Sequence, residues 1–292
     1  MTTSGSRDGR HADRAAVALG YAWGNLRWLD PKARRRSRLA VAAIAGPGAV
    51  PDRLAREHLG HSAAREQLIW RPRMILDGAV EGGAHLASAK ASGRGVLVSY
   101  CHFGPFPAIG VSVLKFASDV HQVAGGWLAA PRPGSKSGRA RRWRGIFERA
   151  GVPLIGAKGC FPVVADLLRR GAVVVMAFDW PGSAESSFLG KRVMLASGTA
   201  RLAQSTGALV VPAMRRFQQL EVRTVFGAPV NPEAYDDWPH LHDEVAAQHE
   251  RWILTCPAAL EDPRRAGAWE EAATAESWGL PRRLRQPLPT VA

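Results

Sequence analysis

Short apolar runs that alternate with helical segments from residue 95 onward constrain the fold of this chain more than any other feature. Five of these runs are rich in β-branched residues: GVLVSY (95–100), VHQVAG (120–125), AVVVMAF (172–178), ALVVPAM (208–214) and VRTVFG (222–227). Most are separated by stretches with helical periodicity, which is typical of a largely parallel sheet with helices on both faces. The sequence therefore predicts an α/β core.

Helical patterns precede this core over the first eighty-odd residues. Asp30-Pro31 is a good helix start, because aspartate caps a helix and proline suits its first position. The segment VPDRLAREHLGHSAAREQLIW (50–70) continues as a helix. From these patterns we predict a mobile tail over residues 1–13, a helical region over 14–90, an α/β core over 91–262, and a C-terminal helix with a basic, proline-rich tail over 263–292.

The chain is strongly basic, with a formal net charge of +14 and a pI near 10.8, and only six of its 39 basic residues are lysines. A GC-rich genome favours arginine codons and would explain this bias without a function. Attraction to phosphate on lipid, carrier protein or nucleic acid would explain it equally well. Composition alone leaves both interpretations open.

Cysteine usage and hydropathy indicate a cellular location. The three cysteines, Cys101, Cys160 and Cys256, are too widely spaced for a disulfide framework or a CxxC knuckle, so a reducing cytosol is expected. The N-terminus has charges of both signs and no apolar core, and no stretch approaches the roughly 20 apolar residues of a membrane span. We expect a cytoplasmic protein, or one peripheral on the inner face of the plasma membrane.

The most apolar early segment, AAVALGYAWGNLRWL (15–29), carries aromatic residues and precedes a cluster of arginines at positions 34, 35, 36 and 38. A helix of this kind beside a basic cluster can lie on an anionic membrane. It can equally be a core helix with a solvated end. The sequence leaves these two interpretations open.

Two polar residues follow two predicted strands directly. His102 follows GVLVSY, and Asp179 follows AVVVMAF. Open α/β sheets place their active sites at the carboxyl ends of strands, so the two side chains can converge on one crevice. The alternative interpretation is structural: a histidine with satisfied nitrogens at a strand end, and an aspartate that caps the turn at 180–182.

The segment GRARRWRGIFERAG (138–151) predicts an amphipathic helix. Its apolar residues recur at the spacing i, i+3, i+4 and i+7, and its arginines occupy the opposite face. The apolar set is Trp143, Ile146, Phe147 and Ala150, and the basic set is Arg141, Arg142, Arg144 and Arg149.

No cofactor is predicted. The sequence has neither a P-loop nor a GxGxxG motif after a strand, so nucleotide binding has no support. The segment WPHLHDEVAAQHE offers His240, His242, Asp243 and His249 as conceivable metal ligands. Helical spacing scatters these side chains, and a solvated helix explains them better than a metal site does.

The order of several segments resembles a known family. These segments are VLVSYCHFGPFP, ERAGVPLIG, VADLLRRGAVVVMAFDWPG, SFLGKRVMLASGTARLAQSTGALVVPAM and FGAPV. Together they resemble the bacterial lipid A late acyltransferases and the related mycobacterial phosphatidylinositol mannoside acyltransferases of the glycerolipid acyltransferase superfamily. The similarity covers roughly residues 30 to 255. It implies that superfamily's central sheet covered by helices, with a helical N-terminal annex.

The resemblance implies a reaction and a departure from it. In the family, the histidine of a His-x4-Asp/Glu pair takes a proton from an acceptor hydroxyl, which attacks an acyl thioester. His102 matches that histidine, but the acid position falls on Pro107. Asp179, whose family counterpart is also an active-site acid, is the best candidate for a relocated partner. Alternatively, a reactive donor or acceptor needs only a weak base, or the protein binds lipid or carrier without catalysis.

From this resemblance we predict an acyltransferase that moves an acyl group from a thioester on CoA or acyl carrier protein to a hydroxyl or amine of a lipid or glycolipid. His102 is the expected base and Asp179 its acidic partner. The anionic donor or head group is expected to bind the arginine face of helix 138–151, namely Arg141, Arg142, Arg144 and Arg149, together with Lys158, Lys191 and Arg192. An anionic membrane surface is the expected place of work.

Two alternative functions remain at this stage. One is a soluble tailoring acyltransferase of specialised metabolism with a carrier-protein or aminoacyl-tRNA donor, since tRNA phosphates attract arginine as lipid phosphates do. The other is a catalytically inactive, lipid-binding homologue.

Overall fold

A computed structural model describes residues 5–45, 52–130 and 137–262 of the chain. The predicted C-terminal helix and tail at 263–292 lie outside the described residues. The helices of the described part are α1 (Gly5–Leu26), α2 (Pro31–Ala45), α3 (Asp52–Gln67), α4 (Pro72–Leu76), α5 (Gly83–Ala91), α6 (Ile109–Val113), α7 (Gly126–Ala129), α8 (Ser137–Ala150), α9 (Phe161–Arg169), α10 (Gly198–Thr206) and α11 (Trp238–Thr255). The strands are β1 (Ala79–Glu81), β2 (Val96–Tyr100), β3 (Val120–Ala124), β4 (Leu154–Gly156), β5 (Val173–Ala177), β6 (Pro181–Phe188), β7 (Lys191–Leu195), β8 (Leu209–Gln218) and β9 (Glu221–Phe226).

Seven strands form one sheet in the order β1-β9-β8-β2-β5-β3-β4. All neighbouring pairs in this sheet are parallel except β8 and β9, which form an antiparallel hairpin. Strands β6 and β7 form a separate antiparallel hairpin. The predicted, largely parallel α/β core is therefore confirmed, and all five predicted strand segments contain a strand.

Helices cover both faces of the sheet because successive strand residues alternate between two apolar cores. Leu97 of β2 belongs to one core, with residues from α9, α10 and α11. Val96 and Val98 belong to the other, with residues from α1, α3, α4, α5, α6 and α8. This alternation explains why β2 is buried along its whole length. Among the described residues, no helix has both the length and the apolar character to cross a bilayer.

Two expectations about the N-terminal part are wrong. Residues 5–13, expected in a mobile tail, form the first turns of α1. Distant residues contact these turns, because Asp13 lies 3.8 Å from the Arg71 guanidinium and the Arg73 guanidinium lies beside Gly9. The region 14–90 is also not all helical, since β1 pairs in parallel with β9 at the sheet edge. A strand of three residues is too short to show an alternating pattern.

Candidate active site

The register of two central strands brings His102 and Asp179 together. Strands β2 and β5 are parallel neighbours, with Tyr100 opposite Ala177 at their carboxyl ends. The pairing continues one residue further, where the Phe178 amide donates to the Tyr100 carbonyl at 2.7 Å. His102 and Asp179 each lie two residues beyond the last registered pair. Their side chains therefore leave the sheet at the same edge, as the sequence predicted.

The imidazole of His102 and the carboxylate of Asp179 form a buried pair. His102 Nδ1 lies 2.7 Å from Asp179 Oδ1, and the His102 backbone amide donates to Asp179 Oδ2 at 3.0 Å. Asp179 is 1% exposed and His102 is 8% exposed. Because a carboxylate accepts at Nδ1, this nitrogen carries the hydrogen and Nε2 keeps its lone pair. This arrangement fixes the tautomer and ring orientation that a general base needs.

The loop after His102 is held by bonds to distant segments. The amide of Glu261 donates to the His102 carbonyl at 2.8 Å, and the amide of Gly104 donates to the Ala259 carbonyl at 2.8 Å. Gly104 has φ 58°, and a Cβ there would lie 2.1 Å from the Arg215 carbonyl oxygen. Only glycine fits this position. The backbone that carries His102 is therefore fixed on both sides of the residue.

Arg215 of β8 reaches the same loop from inside the protein. It is fully buried and donates to the Pro107 carbonyl at 2.5 Å, to Ser112 Oγ at 2.8 Å and to Thr224 Oγ1 at 2.9 Å. Burial lowers the pKa of Arg215 to about 9. The position that holds an acid in the resembled family thus provides a backbone acceptor here. The carboxylate at His102 comes from Asp179 instead.

A mostly apolar cavity of about 410 Å³ opens beside His102. This volume falls within the roughly 300–1,000 Å³ of small-molecule sites. The Phe106 ring lies 4.7 Å from the His102 ring between centroids, and the Trp180 ring lies 5.3 Å from it. Aromatic and aliphatic side chains form most of the remaining wall: Tyr100, Val123, Trp127, Leu128, Trp143, Phe147, Phe161, Met176 and Leu202. Such a lining suits a hydrocarbon chain.

Two arginines that the sequence analysis did not select also line the cavity. Arg65 of α3 is buried, and its guanidinium lies 5.9 Å from the centre of the Phe106 ring. Arg139 of α8 is half exposed and pairs with Glu66 at 2.5 Å. The cavity is thus apolar with cationic groups in its wall, a combination that fits an amphiphile with an anionic part.

A cysteine nucleophile has little support in this cavity. Cys160 is part of the wall, but burial raises the pKa of its thiol, so the thiol stays protonated near neutral pH. Cys101 is buried in one of the two apolar cores. His102 is therefore the group in the wall best suited to accept a proton.

The predicted arginine face of α8 borders a second groove, which is distinct from the His102 cavity. Arg141, Arg142 and Arg149 line this groove of about 590 Å³, and the Arg142 guanidinium lies 3.8 Å from the centre of the Trp70 ring. Arg144 instead bonds Glu148 at 2.8 Å and the Ala129 carbonyl at 3.1 Å. The apolar face of the helix packs inward as predicted, and Trp143 and Phe147 reach the cavity wall.

The other predicted phosphate-binding residues lie at two different places. Lys158 is exposed between two residues of the cavity wall, Ala157 and Gly159. Lys191 and Arg192 lie near the tip of the β6–β7 hairpin, where Arg192 pairs with Glu185 at 2.5 Å. Neither of these two hairpin residues lines the cavity. The structure therefore brings Lys158, but not the hairpin pair, to the site.

The histidines of α11 occupy three different environments. His240 is exposed and bonds Asp237 at 2.7 Å, whereas His242 and His249 are buried. His249 Nε2 lies 2.9 Å from Ser99 Oγ, and burial lowers its pKa to about 4, opposed by the nearby Asp179 charge. Within residues 5–45, 52–130 and 137–262, no group of three or more His, Cys, Asp or Glu side chains could hold a metal ion.

Comparisons with known proteins add the following. No protein-family model matches the sequence, and no curated protein matches it. Among solved structures, the chain is similar to the 1-acyl-sn-glycerophosphate (LPA) acyltransferase PlsC from Thermotoga maritima. The TM-score is 0.43 with 14% sequence identity, and the alignment covers 85% of this chain and 98% of that chain.

Proposed function

We propose that this protein is an acyltransferase in which His102 acts as general base and Asp179 as its acidic partner. The observation that carries the proposal is the buried His102–Asp179 pair in the wall of an apolar cavity. A carboxylate that orients an imidazole is the arrangement used to deprotonate hydroxyl groups in acyl transfer. A cavity lined by aromatic and aliphatic side chains provides a place for the acyl chain.

The proposed reaction has one nucleophile and one leaving group. His102 Nε2 takes a proton from the acceptor's hydroxyl or amine, whose oxygen or nitrogen then attacks the carbonyl carbon of the acyl thioester. The carbon–sulfur bond breaks, and the thiolate of CoA or acyl carrier protein leaves with the proton that the imidazolium returns. Asp179 stabilises the imidazolium between these two proton transfers.

Basic groups near the cavity provide sites for an anionic donor or head group. Arg65 and Arg139 lie in the cavity wall, and Lys158 lies between two wall residues. We include in the proposal the groove of Arg141, Arg142 and Arg149 as a site for donor phosphates, since arginine binds phosphate through two parallel hydrogen bonds. Lys191 and Arg192 are the weakest part of the predicted set, because they lie on the separate hairpin.

The test is thioester consumption by the purified protein. Palmitoyl-CoA and acyl carrier protein are offered as donors against a phospholipid, a glycolipid and an amine. We expect His102→Ala to lose at least about 10²-fold in rate, since general bases typically contribute 10²–10⁴-fold. Asp179→Asn should lose a comparable amount, because a wrong tautomer cost about 10⁴-fold in the Ser-His-Asp template.

A matched control is available at the surface. His240 and Asp237 also lie 2.7 Å apart, but this pair is exposed at the start of α11. His240→Gln should therefore leave the rate unchanged. Undiminished turnover in His102→Ala would exclude His102 as the base. No turnover by the wild type with any donor, together with binding of palmitate, would favour the inactive lipid-binding homologue.

A further inference from the structure

The outer face of α1 is apolar along most of its length. Every exposed side chain from residue 12 to residue 26 is apolar, and the set is Ala12, Ala15, Leu19, Ala22, Trp23 and Leu26. Leu19 is 71% exposed, Trp23 is 64% exposed, and Leu26 is 54% exposed. Leu29, in the turn that follows, is 76% exposed. We call this set, from Ala12 to Leu29, the outer apolar face.

The inner face of α1 has the opposite character. Gly24 packs so closely on α3 that a Cβ there would lie 2.3 Å from the Leu59 carbonyl oxygen. Gly20 lies against the Gln67 side chain in the same way. A surface helix in water normally buries its large apolar residues and exposes polar ones. In α1 the glycines point inward and the largest apolar side chains point outward, which indicates an apolar environment outside the protein.

Basic side chains accompany the outer apolar face. Lys32, Arg35 and Arg36 are exposed on α2, which follows Leu29 directly. None of the three forms an ion pair with a carboxylate of the described ranges. Exposed leucine and tryptophan beside unpaired cations is the composition that binds an anionic bilayer, because the apolar groups enter the headgroup boundary while the cations meet lipid phosphates.

We propose that the outer apolar face, with Lys32, Arg35 and Arg36, docks on an anionic lipid bilayer. Trp23 and Leu26 enter the interface, and α1 lies in its plane. Helix α3 packs against α1 through Gly60 and contributes Arg65 to the cavity wall. A single helix therefore connects the docked face with the cavity. The proposal is independent of the chemistry at His102.

Co-sedimentation with vesicles tests this surface. The full chain is mixed with phosphatidylcholine vesicles that contain phosphatidylglycerol, and with vesicles of phosphatidylcholine alone. We expect Trp23→Ser/Leu26→Ser to reduce partitioning by about tenfold or more, since removing two buried apolar side chains costs at least one decade in affinity. Lys32→Glu/Arg35→Glu/Arg36→Glu should abolish the preference for phosphatidylglycerol, and salt should weaken it in the wild type.

The control variant removes two apolar side chains of similar exposure elsewhere. Val163 of α9 is 54% exposed and Leu254 of α11 is 56% exposed. Val163→Ser/Leu254→Ser should bind vesicles as the wild type does. Equal losses in both double variants, or a wild type that stays in the supernatant, would overturn the proposal. So would sedimentation of the wild type as a dimer that Trp23→Ser/Leu26→Ser dissociates, because a second copy would then cover this face.

The outcome can be separated from that of the acyltransferase test. Thioester consumption in the absence of vesicles depends on His102 and not on Trp23 or Leu26. A protein that binds vesicles without acyl transfer would support the docking surface and contradict the proposed chemistry. A protein that transfers acyl groups without binding vesicles would give the reverse result.

Discussion

His102 receives its carboxylate from a residue 77 positions further along the chain rather than from its own loop. This source is compatible with the position of Pro107, whose backbone carbonyl is bonded by the buried Arg215. A carboxylate at a neighbouring strand end is held by the sheet, whereas one on the loop would depend on the loop's conformation. The parallel pairing of β2 and β5 therefore positions the proposed base and its partner.

Another single residue, His242, allows a test of the buried interior. It is fully buried, and neither ring nitrogen has a hydrogen-bond partner within the described ranges. Its ring lies 4.8 Å from the Phe178 ring. An unpaired buried polar group costs about 1–3 kcal/mol, so we expect His242→Phe to raise the free energy of unfolding by that amount at pH 7. Urea denaturation measures the change.

The exposed His240 of the same helix provides the control for this prediction. His240→Gln should change the free energy of unfolding by less than about 0.5 kcal/mol, as is usual for surface substitutions. A lower stability of His242→Phe would show that the larger ring does not fit the core or that the imidazole has a buried partner. Either result would contradict the prediction.

At the scale of elements, the contact between α1 and α3 depends on Gly24. A Cβ at this position would meet backbone atoms of Leu59 and Gly60 at 2.3–2.8 Å, and backbone cannot move aside as a side chain can. We expect Gly24→Ala to cost about 1–3 kcal/mol of stability through overpacking, despite the better helix propensity of alanine. Urea denaturation gives the energy, and limited proteolysis reports whether α1 separates from α3.

A glycine in another helix separates the steric effect from the propensity effect. Gly145 lies inside α8, and a Cβ there would meet only the flexible Arg149 side chain at 3.3 Å. Gly145→Ala should be neutral or stabilising by up to about 1 kcal/mol. Equal effects of the two substitutions would contradict close packing at Gly24.

The same elements show what local sequence could predict. Strands β2 and β5 are recognisable because they are continuous β-branched runs buried on both faces. The β6–β7 hairpin was not predicted. In β6, Ala184, Ser186 and Phe188 point inward in strict alternation, but two of these three are small or polar. Burial of such residues is decided by the surrounding structure rather than by the segment itself.

The candidate site divides in the same way. His102 and Asp179 were predicted because each follows a strand directly, which is a local signal. Arg65 and Arg215 bond the His102 loop from 39 and 108 positions away, and no local pattern marks either of them. The missing family acid at Pro107 was visible in the sequence. The identity of its replacement required the strand order of the sheet.

At the scale of the whole molecule, three buried histidines make folding stability dependent on pH. Burial lowers the pKa values of His61, His242 and His249 to about 4 each. In the unfolded chain these groups titrate near 6.5. Between these two values the unfolded chain binds protons that the folded protein excludes, so acid favours unfolding. The histidine contribution to stability is complete above about pH 6.5 and is lost as the pH falls toward 4.

We therefore expect the free energy of unfolding to fall by roughly 1 kcal/mol per pH unit for each of the three histidines in this range. Carboxylates also contribute to acid unfolding, so the sharper measurement is a difference between variants. The stability advantage of His242→Phe over the wild type should grow as the pH falls from 6.5 to 4, because the phenylalanine variant lacks one of the excluded protons. His240→Gln should show no such growth, since His240 is exposed. Parallel curves for wild type and His242→Phe would mean that His242 takes up its proton in the folded protein.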